Sequence, residues 1–172
     1  MAISRTRLKS VALTGAPPAE CLRRVNTLLC LDNSAEMFVT VFYGVLHTQT
    51  GKLEYSNGGH NPPYVIRRTG ATEVLAGTGG TVLGILDDIR THAKTATLWP
   101  GDTLFLYSDG VTEAMDGGGN LFSDARLQAV LEDAGSNPAT AVVHKVFDAV
   151  SAHAAGAAQS DDITAMAIRY HG

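Results

Sequence analysis

Between residues 37 and 108 short apolar runs alternate with turns of only a few residues, and this spacing most constrains the fold. "MFVTVFYGVL" (37–46) is rich in β-branched and aromatic residues, the composition of a strand. It is apolar at both alternating positions, which predicts burial on both faces. "HTQTGK" (47–52) reads as a turn and "LEYSN" (53–57) as the returning strand of a hairpin. "GGHNPP" (58–63) forces a loop. "YVIRR" (64–68) and "TEVLA" (72–76), joined through Thr69-Gly70, predict a second hairpin. "GTGGT" (77–81) is a flexible linker, "VLGIL" (82–86) a short apolar piece, and "THAKTATL" (91–98) a strand with one small, polar face. "WPGD" (99–102) is a tight turn before a strand over 103–108. Connections this short join antiparallel strands, because a parallel pair needs a crossover of about a dozen residues or more.

Helical periodicity appears at both ends. Ile3, Leu8, Val11 and Leu13 follow it weakly, and "TGAPP" (14–18) breaks it. Pro17 and Pro18 can open a second helix, with Leu22, Val25, Leu28 and Leu29 inward and "DNSAE" (32–36) as its end. A short helix is expected within 110–116, and "DGGGN" (116–120) as a turn. Leu127, Val130 and Leu131 mark a helix over 123–134. Asn137-Pro138 starts a longer one over 138–155, with Ala141, Val142, Val146, Phe147 and Val150 inward. "AAGAAQSDD" (154–162) is a loop and "ITAMAIRY" (163–170) a final strand. The pattern is α+β: a largely antiparallel set of strands covered by helices. At 172 residues, one domain over 1–172 is expected.

With 13 Lys plus Arg against 17 Asp plus Glu, the net charge is −4. That lacks the basic stripe nucleic acid requires. No apolar run reaches the ~18 residues of a membrane span, and "MAISRTRLKS" has no apolar signal core. Cys21 and Cys30 lie nine residues apart in one helix, too far for a disulfide. The expectation is a soluble, cytoplasmic protein with free thiols and with neither nucleic acid nor membrane as partner.

Two acidic sites sit at the ends of apolar strands. Asp109 follows 103–108, and Asp161-Asp162 precede 163–170. If those strands are antiparallel neighbours, both sites share one end of the sheet. Carboxylates converging there repel one another unless a cation sits between them. Mg2+ or Mn2+ would suit such oxygen donors, and Gly110 would let the backbone pass close to the ions. Turn and cap roles fit the same aspartates. No Cys/His metal spacing, G-x-S-x-G or P-loop is present. His60 reads as a loop residue bonded locally. Asp102 and Asp116 read as turn residues, Asp87-Asp88 as a solvated pair and Glu113 as a helix-surface carboxylate.

Residues 37–66, "LWPGDTLFLYSDGVTEAMD" (98–116) and "QSDDITAMAIR" (159–169) resemble, in that order, the metal-dependent protein serine/threonine phosphatases of the stage II sporulation E type, a bacterial branch of the type 2C phosphatases. The resemblance implies two packed antiparallel sheets flanked by helices, an α-β-β-α sandwich. It implies Mn2+ or Mg2+, two ions in the family's site, held by Asp109 and Asp161 as the catalytic residues, with Gly110 and Asp162 beside them in the metal site and Asp162 acting through water or holding the loop. A water activated by metal would hydrolyse phosphoserine or phosphothreonine on a phosphorylated regulatory protein, such as an anti-sigma-factor antagonist.

One departure accompanies it. The family's upstream "G-D" aspartate and "D-G-H-G" loop do not occur before residue 37, so an N-terminally truncated version of the fold is expected, with Met1 an internal methionine of a longer protein. Without the upstream aspartate the site would be weak and hydrated. Sheet edges left unpaired would invite self-association into a homo-oligomer. A catalytically inactive remnant that binds a phosphoprotein or regulator is the alternative function.

Overall fold

The computed structural model describes residues 2–31, 37–135, 137–159 and 161–172, with the backbone alone at residues 2 and 3. Twelve elements follow in chain order: α1 (Ala2–Ala12), α2 (Pro18–Leu31), β1 (Val41–His47), β2 (Lys52–Gly58), β3 (Tyr64–Ile66), β4 (Thr72–Val74), β5 (Lys94–Thr97), β6 (Thr103–Tyr107), α3 (Asp109–Thr112), α4 (Ser123–Ala134), α5 (Ala139–Ala154) and β7 (Ala165–Arg169). The expected α+β class holds: two sheets, each antiparallel throughout, together with helices. The chain divides into two compact units.

The first unit holds α1, α2 and the sheet β1-β2-β5. Val41 and Tyr43 of β1 face a cluster made by Val11 of α1 with Cys21, Leu22 and Val25 of α2. Burial on both faces of residues 37–46 is not what the structure shows. β1 starts at Val41, Val39 makes only a single bridge to Leu83, and no residue of β1 is fully buried. The reason is position: β1 is an edge strand, paired on one side only. In α2 the buried stripe takes in Asn26 in place of Leu28, which is exposed. The Asn26 amide donates to the Leu86 carbonyl (2.7 Å) and accepts the Gly84 N–H (2.9 Å), so a buried polar group is satisfied by an apolar loop's backbone. Leu13 lies beyond the end of α1 and is exposed. The side chain of Ile3, and the end of α2 expected at 32–36, lie outside the described residues. Both cysteines are free. Among the described residues no helix is long and apolar enough to cross a membrane.

The second unit holds the sheet β4-β3-β6-β7, helices α3 to α5 and the turn Thr48–Gly51. Register places Tyr64 opposite Phe105 and Phe105 opposite Ala167, with Tyr107 opposite Ala165. These residues share one face, which packs on Leu127 and Leu131 of α4 and on Val142, Val146 and Val150 of α5. Small Ala165 and Ala167 leave room for the rings of Phe105 and Tyr107, which stack at 6.1 Å. On the opposite face Met166 and Ile168 of edge strand β7 stay exposed.

Asp102 departs from the simple turn residue expected. It does close the turn with its N–H on the Trp99 carbonyl (2.8 Å), but it is only 2% exposed. Its carboxylate accepts the Trp99 N–H (3.0 Å), the Arg68 N–H (3.0 Å) and the Arg67 guanidinium (2.7 Å). Burial pushes the carboxyl's pKa up, yet these donors outweigh it and hold the acid below its ordinary value. Arg67 and Arg68 lie 35 and 34 positions away in sequence, so the turn alone does not show this.

Two outcomes follow from this unit. Gly51 has φ +69, and a Cβ there would lie 2.0 Å from the Leu98 carbonyl oxygen, so Gly51→Ala lowers unfolding free energy by at least about 2 kcal/mol, measured by denaturant titration. Asp102→Asn costs about 1–3 kcal/mol and changes the pH dependence. A depressed folded pKa adds stability that is present above the ordinary carboxylate value of about 4 and lost as pH falls through the folded value. The wild type therefore loses stability below about pH 4 more steeply than the variant. Parallel acid limbs in the two proteins would place the sensitivity elsewhere.

Candidate active site

β6 runs through the core, with Thr103, Leu104, Phe105 and Tyr107 buried, and emerges at Ser108. That residue is extended (φ −83, ψ 160) and precedes the four-residue helix α3, whose first residue is Asp109. β7 pairs antiparallel with β6 and begins at Ala165, opposite Tyr107. The C-terminal end of β6 and the N-terminal end of β7 therefore coincide. The condition set by the sequence is met: Asp109 and the Asp161-Asp162 segment lie at the same end of adjacent strands.

The approach is close. A Cβ on Gly110 would sit 2.5 Å from the Asp162 carbonyl oxygen and 3.4 Å from that of Asp161. Only a bare α-carbon admits the acidic segment at this distance. Asp109 Oδ1 accepts the Gly110 N–H (3.0 Å), and Asp161 Oδ1 accepts the Asp162 N–H (2.7 Å). The Asp161 carbonyl accepts from the Gln159 side chain (2.6 Å), and that of Asp109 from the Glu113 N–H (2.8 Å). The Ser108 hydroxyl bridges to the acidic segment, donating to the Asp162 carbonyl (2.9 Å) and accepting the Thr164 N–H (2.9 Å). Ser108 carries little signal in the sequence. Its one signal is a hydroxyl at a strand-to-helix junction, which ordinarily suggests a cap, yet it makes no cap bond to α3.

Asp109, Asp161 and Asp162 are exposed. Among the described residues none of them forms an ion pair with lysine or arginine. Carboxylates and main-chain carbonyls at one end of the sheet are hard oxygen donors. They suit Mg2+ or Mn2+, which bind through one or two carboxylates and keep several waters. Among the described residues no group of three or more His, Cys, Asp or Glu side chains is placed to hold one ion, so the match to a divalent cation is one of donor type and not of an assembled set of side-chain ligands. The other candidates stay local. His60 Nδ1 contacts the Asn61 carbonyl (3.0 Å), and Asn57 bonds both main-chain groups of His60. Asp116 accepts from Gly118 and Asn120, and these Asn120 and Gly118 bonds lower its pKa to about 2. Asp87, Asp88 and Glu113 are exposed.

Comparison with known proteins shows the family and the fold. Protein IcfG of Synechocystis is 32% identical over 132 residues, 77% of this chain and 20% of the relative. Phosphoserine phosphatase RsbU of Bacillus subtilis is 28% identical over 150 residues, 87% of this chain and 44% of the relative. The chain thus spans less than half the length of either. Among solved structures, the SiaA-PP2C domain of Pseudomonas aeruginosa superposes with a TM-score of 0.84 at 19% identity, covering 97% of this chain and 67% of that one. A Bacillus subtilis SpoIIE structure, the PP2C phosphatase domain with a fragment of the regulatory domain, gives 0.82 at 18% identity, covering 98% and 49%. These two share the fold. The profile of the family described as Stage II sporulation protein E matches residues 1–171, and the chain belongs to the stage II sporulation protein E (SpoIIE) family of PP2C-type phosphatase domains.

Proposed function

We propose that this chain hydrolyses phosphoserine or phosphothreonine on a cytoplasmic regulatory protein, such as an anti-sigma-factor antagonist, with Mn2+ or Mg2+ as cofactor. The observation that carries this reading is the meeting of Asp109 and Asp161-Asp162 at one end of the β6–β7 pair in a member of a phosphatase family. One relative, RsbU, is by name a phosphoserine phosphatase.

In this reading Asp109 and Asp161 hold the cation, and Gly110 and Asp162 supply main-chain support and a further oxygen. A divalent cation supplies Lewis-acid charge for a phosphoryl group and lowers the pKa of water. The chain's own part is to keep the carboxylates oriented. The Gly110 N–H does so for Asp109 and the Asp162 N–H for Asp161. The exposure of all three aspartates suits a phosphorylated side chain carried on another protein, which could not enter a closed cavity.

The test is Mn2+-dependent hydrolysis of p-nitrophenyl phosphate by the 172-residue chain, stopped by EDTA. Asp109→Asn and Asp161→Asn should each lower kcat/KM by more than the ~10–100-fold caused by losing an outer-sphere partner. Both positions are exposed, so circular dichroism should be unchanged. Gly110→Ala should also lower activity, because its Cβ displaces the Asp162 carbonyl. Absence of Mn2+-dependent turnover in the wild type would overturn the hydrolytic reading and leave the binding-module alternative, whereas equal Mn2+-independent turnover in wild type and variants would overturn the metal roles given to Asp109 and Asp161.

A further inference from the structure

We infer that Ser108 is a positioning residue that sets the acidic segment Asp161-Asp162 against Asp109; the inference rests on the metal reading of the same site. The β6–β7 ladder runs from Thr103 opposite Arg169 to Tyr107 opposite Ala165. The next rung pairs Ser108 with Thr164. In a regular antiparallel rung of this kind two residues exchange both of their N–H···O bonds. Half of it is ordinary: the Ser108 N–H donates to the Thr164 carbonyl (2.9 Å). The other half is not. The Thr164 N–H donates to Ser108 Oγ (2.9 Å) rather than to the Ser108 carbonyl. That carbonyl accepts the Val111 N–H (3.1 Å) and opens α3.

The hydroxyl therefore stands in for a main-chain carbonyl. It lets the sheet continue one rung while the backbone turns into the helix that presents Asp109. Its own proton goes to the Asp162 carbonyl (2.9 Å), the oxygen that rests on the α-carbon of Gly110. One serine thus joins the end of β6, the start of α3 and the acidic segment, using its single donor and an acceptor lone pair. Alanine can supply neither bond. Threonine keeps the γ-oxygen and is at home in extended backbone. The relation to the metal ligands is that of an outer-sphere partner that orients them.

The experiment compares the full chain with Ser108→Ala, Ser108→Thr and Asp109→Asn by two readouts. The first is amide hydrogen exchange without metal. Ser108→Ala should speed exchange at Thr164, leave the deeper β6–β7 rungs protected, and be rescued by Ser108→Thr. The second is Mn2+ affinity from the free-ion electron paramagnetic resonance signal. Ser108→Ala should weaken binding about 10-fold or more, and Ser108→Thr by little. Unchanged Thr164 exchange in Ser108→Ala overturns the inference, as does unchanged Mn2+ affinity alongside its loss in Asp109→Asn. Mn2+ affinity unaffected by Asp109→Asn sinks the metal reading instead, and the exchange data then decide the role of Ser108 alone.

Discussion

The antiparallel pairing of β6 with β7 is the interaction on which the rest of the second unit depends. It is one ladder with two consequences. On one face its register lines up Phe105, Tyr107, Ala165 and Ala167 so that α4 and α5 can cover them. At its far end the same register brings residues more than 50 positions apart to hydrogen-bond distance across Ser108 and Thr164. Because side chains alternate along a strand, a slip of one residue would turn the buried rings outward. It would also move Asp161 and Asp162 relative to Asp109. The packing that stabilises the sheet therefore also sets the geometry of the acidic site.

β6 has an aspartate close to each end, and the two meet opposite fates. Asp102 is buried and fully used, accepting two main-chain N–H groups and one guanidinium. Burial alone would raise its pKa, and those donors reverse the effect. Asp109 is exposed, takes one N–H from its own neighbour, and among the described residues has no cationic partner. A carboxylate satisfied by the protein is structural. One left with oxygen lone pairs facing water, at the end of the sheet where the main chain of Asp161 and Asp162 also lies, retains capacity for a ligand that the fold does not supply. Residue type is the same in both cases, and the difference lies in what surrounds it.

Much of this architecture was legible along the chain. Both hairpins, the helices over 123–134 and 138–155, the terminal strand and the turn before β6 appear where periodicity and Gly/Pro punctuation place them, with ends shifted by a few residues. Local signals suffice there because each element's apolar spacing records the face it buries. The failures share one cause. The apolar composition of residues 37–46 predicts burial on both faces, yet position at a sheet edge leaves β1 half-covered. Helical spacing points Leu28 inward, but Asn26 takes the buried place because the Gly84 and Leu86 backbone satisfies its amide. Asp102 looks like a simple turn residue along the chain because its partners Arg67 and Arg68 are distant in sequence.

The sequence by itself determined the α+β class, the hairpin order and the two acidic segments at strand ends, since each follows from composition and period over a few residues. Three ordered motifs pointed to the phosphatase family to which the chain belongs. Only the tertiary structure decided that β6 and β7 are neighbours, that the Asp162 carbonyl rests against Gly110, and that the Ser108 hydroxyl replaces a main-chain acceptor. Those are contacts between segments about 50 residues apart, and no local preference encodes them. They arise when burial of the shared core fixes one register out of many.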